Sequence, residues 1–180
     1  MTHTYNDNPR PFSPQQVAAI GMLSALALVL SFLESLIPFQ PGFPGIKLGL
    51  ANLVIVFALY RMNVHSALLI NTVRILLAGL LFSGLFGLLY SAAGAAASLA
   101  AMTLLLQINR KREQTGKSIL FSIFGVSMTG GVFHNLGQLL VAILFLSSLN
   151  LIYYLPVMII SGIVMGLING MIARLLLQKL

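Results

Sequence analysis

The chain has 180 residues, of which 58% are hydrophobic and only 7% charged, with ten Lys and Arg against three acidic residues. A soluble domain carries about 25% charged residues, so this composition excludes a water-soluble globule and points to a protein whose outer faces are solvated by lipid. Cysteine is absent, which excludes disulfides, thiolate metal sites and cysteine nucleophiles.

The net charge of +7 would suit a nucleic-acid binder, but the basic residues sit in short gaps between apolar runs, so membrane topology explains them and no nucleic-acid partner is expected. Residues 1–14, rich in proline and polar groups, read as a flexible cytoplasmic tail, and 15–180 as one six-helix membrane domain. A crossing helix needs about 20 mostly apolar residues. The first candidate is Val17–Ile37. It reads as an uncleaved helix, because Leu33-Glu34-Ser35-Leu36 is no small-residue cleavage site. Pro38-Phe39-Gln40-Pro41-Gly42-Phe43-Pro44-Gly45 follows as a loop whose prolines and glycines extend neither neighbour.

The second candidate, Ile46–Tyr60, is short. The third is Val64–Phe82, and Ser83-Gly84 is a tight turn into the fourth, Leu85–Ile108. Asn109 to Lys117 reads as a polar, basic loop. The fifth helix lies within Ser118–Ser147, long enough to tilt or bend at Gly130-Gly131. The sixth is Leu155–Leu177, with Pro156 in its first turn, where proline is tolerated.

Cytoplasmic loops carry an excess of Lys and Arg. With the N-terminus inside, eight basic residues fall on the cytoplasmic side: Arg10, Arg61, Arg110, Lys111, Arg112, Lys117, Arg174 and Lys179. Only Lys47 falls outside, and Arg74 lies within the third helix. Both ends are therefore expected in the cytoplasm, which requires an even number of crossings in a multi-pass cell-membrane protein. Phe39, Phe43, Tyr153 and Tyr154 would line the outer interface and Tyr60 the inner one.

Charges within hydrocarbon face a protein interior or a cavity. Glu34, Lys47 and Arg74 are the three of interest. Asn71 precedes Arg74 by three residues and shares its face. A guanidinium binds carboxylate or phosphate through two oxygens, so Arg74 with Lys47 would capture an anionic group entering from outside. The competing reading is a structural Arg74–Glu34 pair. His134-Asn135-x-x-Gln138 places neutral donors and acceptors on the fifth helix, either to orient a ligand or to join helices. Asn52 and Asn169 are further intramembrane amides. No acid stands at ligand spacing from His134, so no metal site is expected.

Small residues form a second signal, because they let helix backbones approach closely. Gly162-x-x-x-Gly166-x-x-x-Gly170 and Ala93-x-x-x-Ala97-x-x-x-Ala101 suit internal packing. Gly21-x-x-x-Ala25, near the cytoplasmic end of the first helix, suits contact with another protein. There is no P-loop, no Gly-x-Ser-x-Gly elbow and no metalloprotease His-Glu pair. Asp7 is the sole aspartate, so the chain cannot supply the clustered aspartates that hold Mg²⁺ on a prenyl diphosphate. The chain is therefore not expected to be an enzyme, and no cofactor is expected.

Pro44-Gly45-Ile46-Lys47-Leu48-Gly49-Leu50-Ala51-Asn52-Leu53 resembles the signature of a bacterial membrane family. His134-Asn135-Leu136-Gly137-Gln138-Leu139, Tyr153-Tyr154-Leu155-Pro156, Ser161-Gly162 and Asn169-Gly170 resemble its later motifs. The family is the Gx transporter family, also labelled heptaprenyl diphosphate synthase component I. It is similar to the substrate-binding S components of energy-coupling factor (ECF) transporters, and the likeness spans roughly Val17 to Leu177. The resemblance implies an all-α, S-component-like fold of six transmembrane helices. It also implies a pocket near the outer face and, as partners, an ECF transmembrane coupling protein and ABC-type ATPases, docked on Gly21 and Ala25. The expected pocket residues are Lys47, Asn52, Asn71, Arg74, His134, Asn135 and Gln138, with the aromatics closing over the ligand. The expected function is a substrate-binding importer subunit for a small anionic molecule. The family's second label implies an alternative, a noncatalytic membrane partner of a prenyl diphosphate synthase.

Overall fold

Ser13-Pro14-Gln15-Gln16 opens the first helix as a capping box. The Gln16 amide donates to Ser13 Oγ at 3.2 Å and the Ser13 amide to Gln16 Oε1 at 3.0 Å. The helix α1 (Pro14–Leu36) thus begins three residues before the first apolar residue of its run. These details come from a computed structural model that describes residues 12–36 and 49–179. Lys47, Phe39, Phe43 and the loop from Pro38 to Gly45 lie outside the described residues.

Five more helices follow: α2 (Leu50–Arg61), α3 (Val64–Ala78), α4 (Gly84–Gln114), α5 (Ile123–Leu146) and α6 (Leu155–Lys179). No strand occurs among the described residues. Local chemistry sets the boundaries. Asn63 Oδ1 accepts from the Ser66 amide at 2.7 Å and starts α3, and Ser122 Oγ accepts from the Gly125 amide at 3.3 Å and starts α5. A π-turn, Gly79–Ser83, closes α3, and Gly84 then takes φ 65°, ψ −177°, a conformation reserved in practice for glycine.

That junction reverses the chain. On one straight helix residues 74 and 91 would stand roughly 25 Å apart, yet Arg74 and Ser91 line the same cleft. The expected turn at Ser83-Gly84 is therefore present.

The basic segment after Ile108 differs from expectation. It is helical as far as Gln114, because Arg, Lys, Glu and Gln are good helix formers. It ends in a Schellman motif at Gly116, φ 71°, with the Lys117 amide donating to the Arg112 carbonyl at 2.9 Å and the Gly116 amide to that of Glu113 at 3.0 Å. Asn109 then holds the connection. Its Oδ1 accepts from the amides of Leu120 and Phe121 at 2.9 Å each, and its Nδ2 donates to the Phe121 carbonyl at 2.7 Å.

Among the described residues, four stretches are long and apolar enough to cross a membrane: Pro14–Leu36, Val64–Gln114, Ile123–Leu146 and Leu149–Lys179. Val64–Gln114 contains both α3 and α4. α2 has 12 residues and spans about 18 Å at the α-helical rise, well short of a hydrocarbon core.

Glycine decides the packing of α4, α5 and α6. A Cβ on Gly166 would stand 2.5 Å from Met128 Cα, one on Gly162 2.8 Å from Val132 Cα, and one on Gly137 2.5 Å from the Ala93 carbonyl oxygen. The Gly162, Gly166, Gly170 face is thus internal and lies on α5. Ala93 likewise meets α5, at Gly137, and Ala93, Ala97 and Ala101 are all half-buried. α1 packs on α2 and α3 through Ser24, Ala27 and Ser31. Its other side is exposed, including Gly21, whose Cβ would meet nothing within 4 Å, and Ala25. Large apolar side chains are bare all round the bundle, such as Met22 at 74%, Leu85 at 75% and Leu149 at 75% exposure. Water would penalise a surface of that extent, whereas lipid does not.

A polar cleft between the helices

α1 and α3 end, and α2 and α4 begin, at the same end of the bundle. There Arg74 is the focus. It is buried on α3 and only 8% exposed. One terminal nitrogen donates to Ser31 Oγ on α1 at 3.2 Å and the other to Asn71 Oδ1, one turn back on α3, at 2.7 Å. The Glu34 carboxylate acts on the guanidinium electrostatically. Glu34 also accepts a hydrogen bond from the Gly49 amide, at the positive end of the α2 dipole. Arg74 is therefore tied to α1 directly, and to the start of α2 through Glu34.

Gly49 is the second hub. It caps α2 in the left-handed region, φ 71°. Its carbonyl accepts from the Asn52 amide at 2.9 Å and from Asn169 Nδ2 on α6 at 3.0 Å. α1, α2 and α6 thus meet on one glycine. Gly49→Ala has steric room, since nothing lies within 4 Å of the added Cβ. It should still cost about 1–2 kcal/mol from the backbone conformation alone. Thermal melting of the detergent-solubilised variant checks this, and an unchanged midpoint refutes it.

On α5, Gln138 Nε2 and His134 Nε2 stand 3.0 Å apart. An amide nitrogen donates, so the facing His134 ring nitrogen is the acceptor of this contact. Asn135 Nδ2 donates across to α6, to the Met158 carbonyl at 2.7 Å and Ser161 Oγ at 3.0 Å. Asn135 therefore joins helices with both of its donor hydrogens.

These groups border a cleft with two lobes. The larger, about 510 Å³ with its open mouth, is lined by Ser31, Glu34, Gly49, Asn52, Asn71, Arg74, Ser91 and His134 among others. The smaller, about 260 Å³, runs on between Asn52, His134, Asn135, Ser161 and Asn169. Gly49, Asn52 and His134 border both. The walls stand close, leaving room for only water-sized groups in the free interior.

Of the expected pocket residues, Asn52, Asn71, Arg74, His134 and Asn135 come together here. Gln138 is fully buried behind His134 and borders neither lobe. Tyr153, 79% exposed on the 3₁₀ turn Leu149–Tyr154, and Tyr154 border neither lobe. Ser31, Gly49, Ser91 and Ser161 join the site without having been singled out for it. Ser31 carried one signal, its place one turn before Glu34 on the same face.

No curated protein and no solved structure matches the chain. One family model does, over residues 23–176, that of heptaprenyl diphosphate synthase component I.

Proposed function

The chain belongs to the heptaprenyl diphosphate synthase component I family, and from that premise we propose that it is the noncatalytic membrane subunit of a prenyl diphosphate synthase assembly. The family match carries this reading. The chain has one aspartate, Asp7, so the Mg²⁺-bridged diphosphate chemistry, which needs clustered oxygen ligands, falls to a partner chain. In this reading the protein crosses the cytoplasmic membrane six times, α2 being the short crossing, with both ends inside. Arg61, Arg110, Lys111, Arg112, Lys117, Arg174 and Lys179 then form a basic cytoplasmic face for the catalytic partner, and the cleft opens at the opposite face.

A second reading rests on the cleft. Buried polar groups around a guanidinium, between helices in lipid, suit capture of a small molecule. That would make the chain the substrate-binding subunit of an ECF-type importer, with Gly21 and Ala25 on the exposed side of α1 as the docking face.

Co-purification separates the two. The tagged full chain is extracted in mild detergent and its partners identified by mass spectrometry. Recovery of a prenyl diphosphate synthase subunit is the expected result. Recovery of ABC-type ATPases with a membrane coupling protein, and no synthase, would transfer the function to import.

A further inference from the structure

The connection between α4 and α5 puts bare apolar side chains where the sequence is most basic. Residues 110–117 hold Arg110, Lys111, Arg112 and Lys117 against one acid, Glu113. Just beyond them, Ile119 and Leu120 are 56% and 57% exposed. The backbone of this segment is held in place. Asn109 on α4 makes three hydrogen bonds to the backbone of Leu120 and Phe121, and Arg112 Nε donates to the Ser118 carbonyl at 3.0 Å. The Lys117 amide, on the Arg112 carbonyl, keeps Lys117 beside the last turn of α4.

Neither lysine is needed to finish the helix. The carbonyls of Lys111, Arg112 and Glu113 already accept from the amides of Thr115, Gly116 and Lys117 and from Thr115 Oγ1. Lys111 and Lys117 are both exposed. Arg174 adds a cation near the same end, its guanidinium 5.4 Å from the ring centroid of Phe124 in the first turn of α5.

Depth orders these groups. α4 has 31 residues and spans about 46 Å, against about 30 Å of hydrocarbon. Its apolar run ends at Ile108, so the overrun is at the basic end. The Leu120 amide bonds Asn109, which sets it level with the first residue past that run. Gln114, the last residue of α4, stands about 7 Å farther out. The bare apolar pair is thus the deeper layer and the basic turn the outer one. A lipid leaflet has the same order, acyl chains below and phosphates above. A protein partner arriving from the aqueous side would have to reach past the basic turn to cover Ile119 and Leu120.

We propose that the α4–α5 connection anchors on phospholipid and selects anionic headgroups, with Ile119 and Leu120 inserted at the acyl boundary and Lys111 and Lys117 on the headgroup phosphates. Basic residues at this depth each add attraction to an anionic leaflet. The proposal is independent of which proteins co-purify and of which way the chain faces, because both leaflets of a test membrane can carry the same lipid.

The chain has no tryptophan, so Leu120→Trp reports from this place alone. The full-length variant is reconstituted in phosphatidylcholine membranes, and its fluorescence is quenched with brominated phosphatidylglycerol or brominated phosphatidylcholine. Phosphatidylglycerol is expected to be preferred by about fivefold or more. Lys111→Gln with Lys117→Gln should bring the preference close to one. Leu85→Trp, at the other end of α4, should show quenching without preference. Ile119→Trp repeats the measurement from the neighbouring side chain. No quenching by either lipid at both positions would put the segment in water and overturn the anchor. Equal quenching by the two lipids would overturn the headgroup selectivity. A preference undiminished in the double variant would remove the lysines from the site. Loss of the preference on adding millimolar inorganic phosphate, with sodium chloride of the same ionic strength having no effect, would make this a free-anion site and overturn the lipid assignment.

Discussion

Arg74→Ala is expected to lower the melting temperature of the detergent-extracted protein by on the order of 10 °C, and its folded yield with it. The guanidinium touches Ser31 on α1 and Asn71 on its own helix, and balances Glu34, which holds the first amide of the α2 cap. Removing one partner of a buried charged pair costs about 3–5 kcal/mol, because the other charge stays behind without compensation. Arg74→Lys keeps a cation on the same helix face and should lose much less stability. The pair of variants separates two roles. A near-wild-type melting temperature for Arg74→Lys would assign the effect to the charge that balances Glu34, and a loss as large as that of Arg74→Ala would assign it to the guanidinium's hydrogen bonds to Ser31 and Asn71. A melting temperature for Arg74→Ala within a degree or two of wild type would show that the bundle does not depend on this hub.

The second large effect is expected where α5 and α6 touch. Gly131 faces the Gly162 carbonyl with no room for a methyl group, and a Cβ on Gly166 would stand 2.5 Å from Met128 Cα. The obstacles are backbone, which cannot swing aside as a side chain does. Gly166→Ala should therefore cost about 1–3 kcal/mol, and Gly131→Leu should eliminate folded protein. Gly21→Leu is the control. Its Cβ enters open space on the exposed side of α1, so folding should be preserved, whatever happens to a partner docked there. Size-exclusion profiles of the three variants in detergent provide the comparison. Wild-type-like folding of Gly131→Leu would contradict the close approach of α5 and α6.

Much of the architecture was legible along the chain, because membrane helices announce themselves by apolar length and by the polar residues that end them. The turn at Ser83-Gly84 and the start of α6 beside Pro156 lie where composition places them. The cap at Ser13 and Gln16 is equally local, but it lies outside the apolar run, and its Ser13 falls within the stretch 1–14 whose composition reads as tail. α4 overran its apolar stretch because helix propensity in Arg110–Gln114 does not require hydrophobicity. Asn71 and Arg74 were legible as a pair, since three residues apart on a helix means one face.

The roles of the other polar residues were decided by the fold. His134, Asn135 and Gln138 carry the same signal in sequence: amides and an imidazole on a helix bound for lipid. Only the neighbouring helices distribute their work, with Asn135 turned to the α6 backbone, Gln138 to His134, and His134 to the cleft. Asn169 reads as one more packing amide until α6 brings it to the Gly49 carbonyl, 120 residues away in sequence. Composition, charge and helix period by themselves determined that this chain lives among lipids, where its helices run, and that a charge on α3 needed an interior. Which groups share that interior was decided by tertiary structure, because a hydrogen bond depends on distances that contacts between distant segments set.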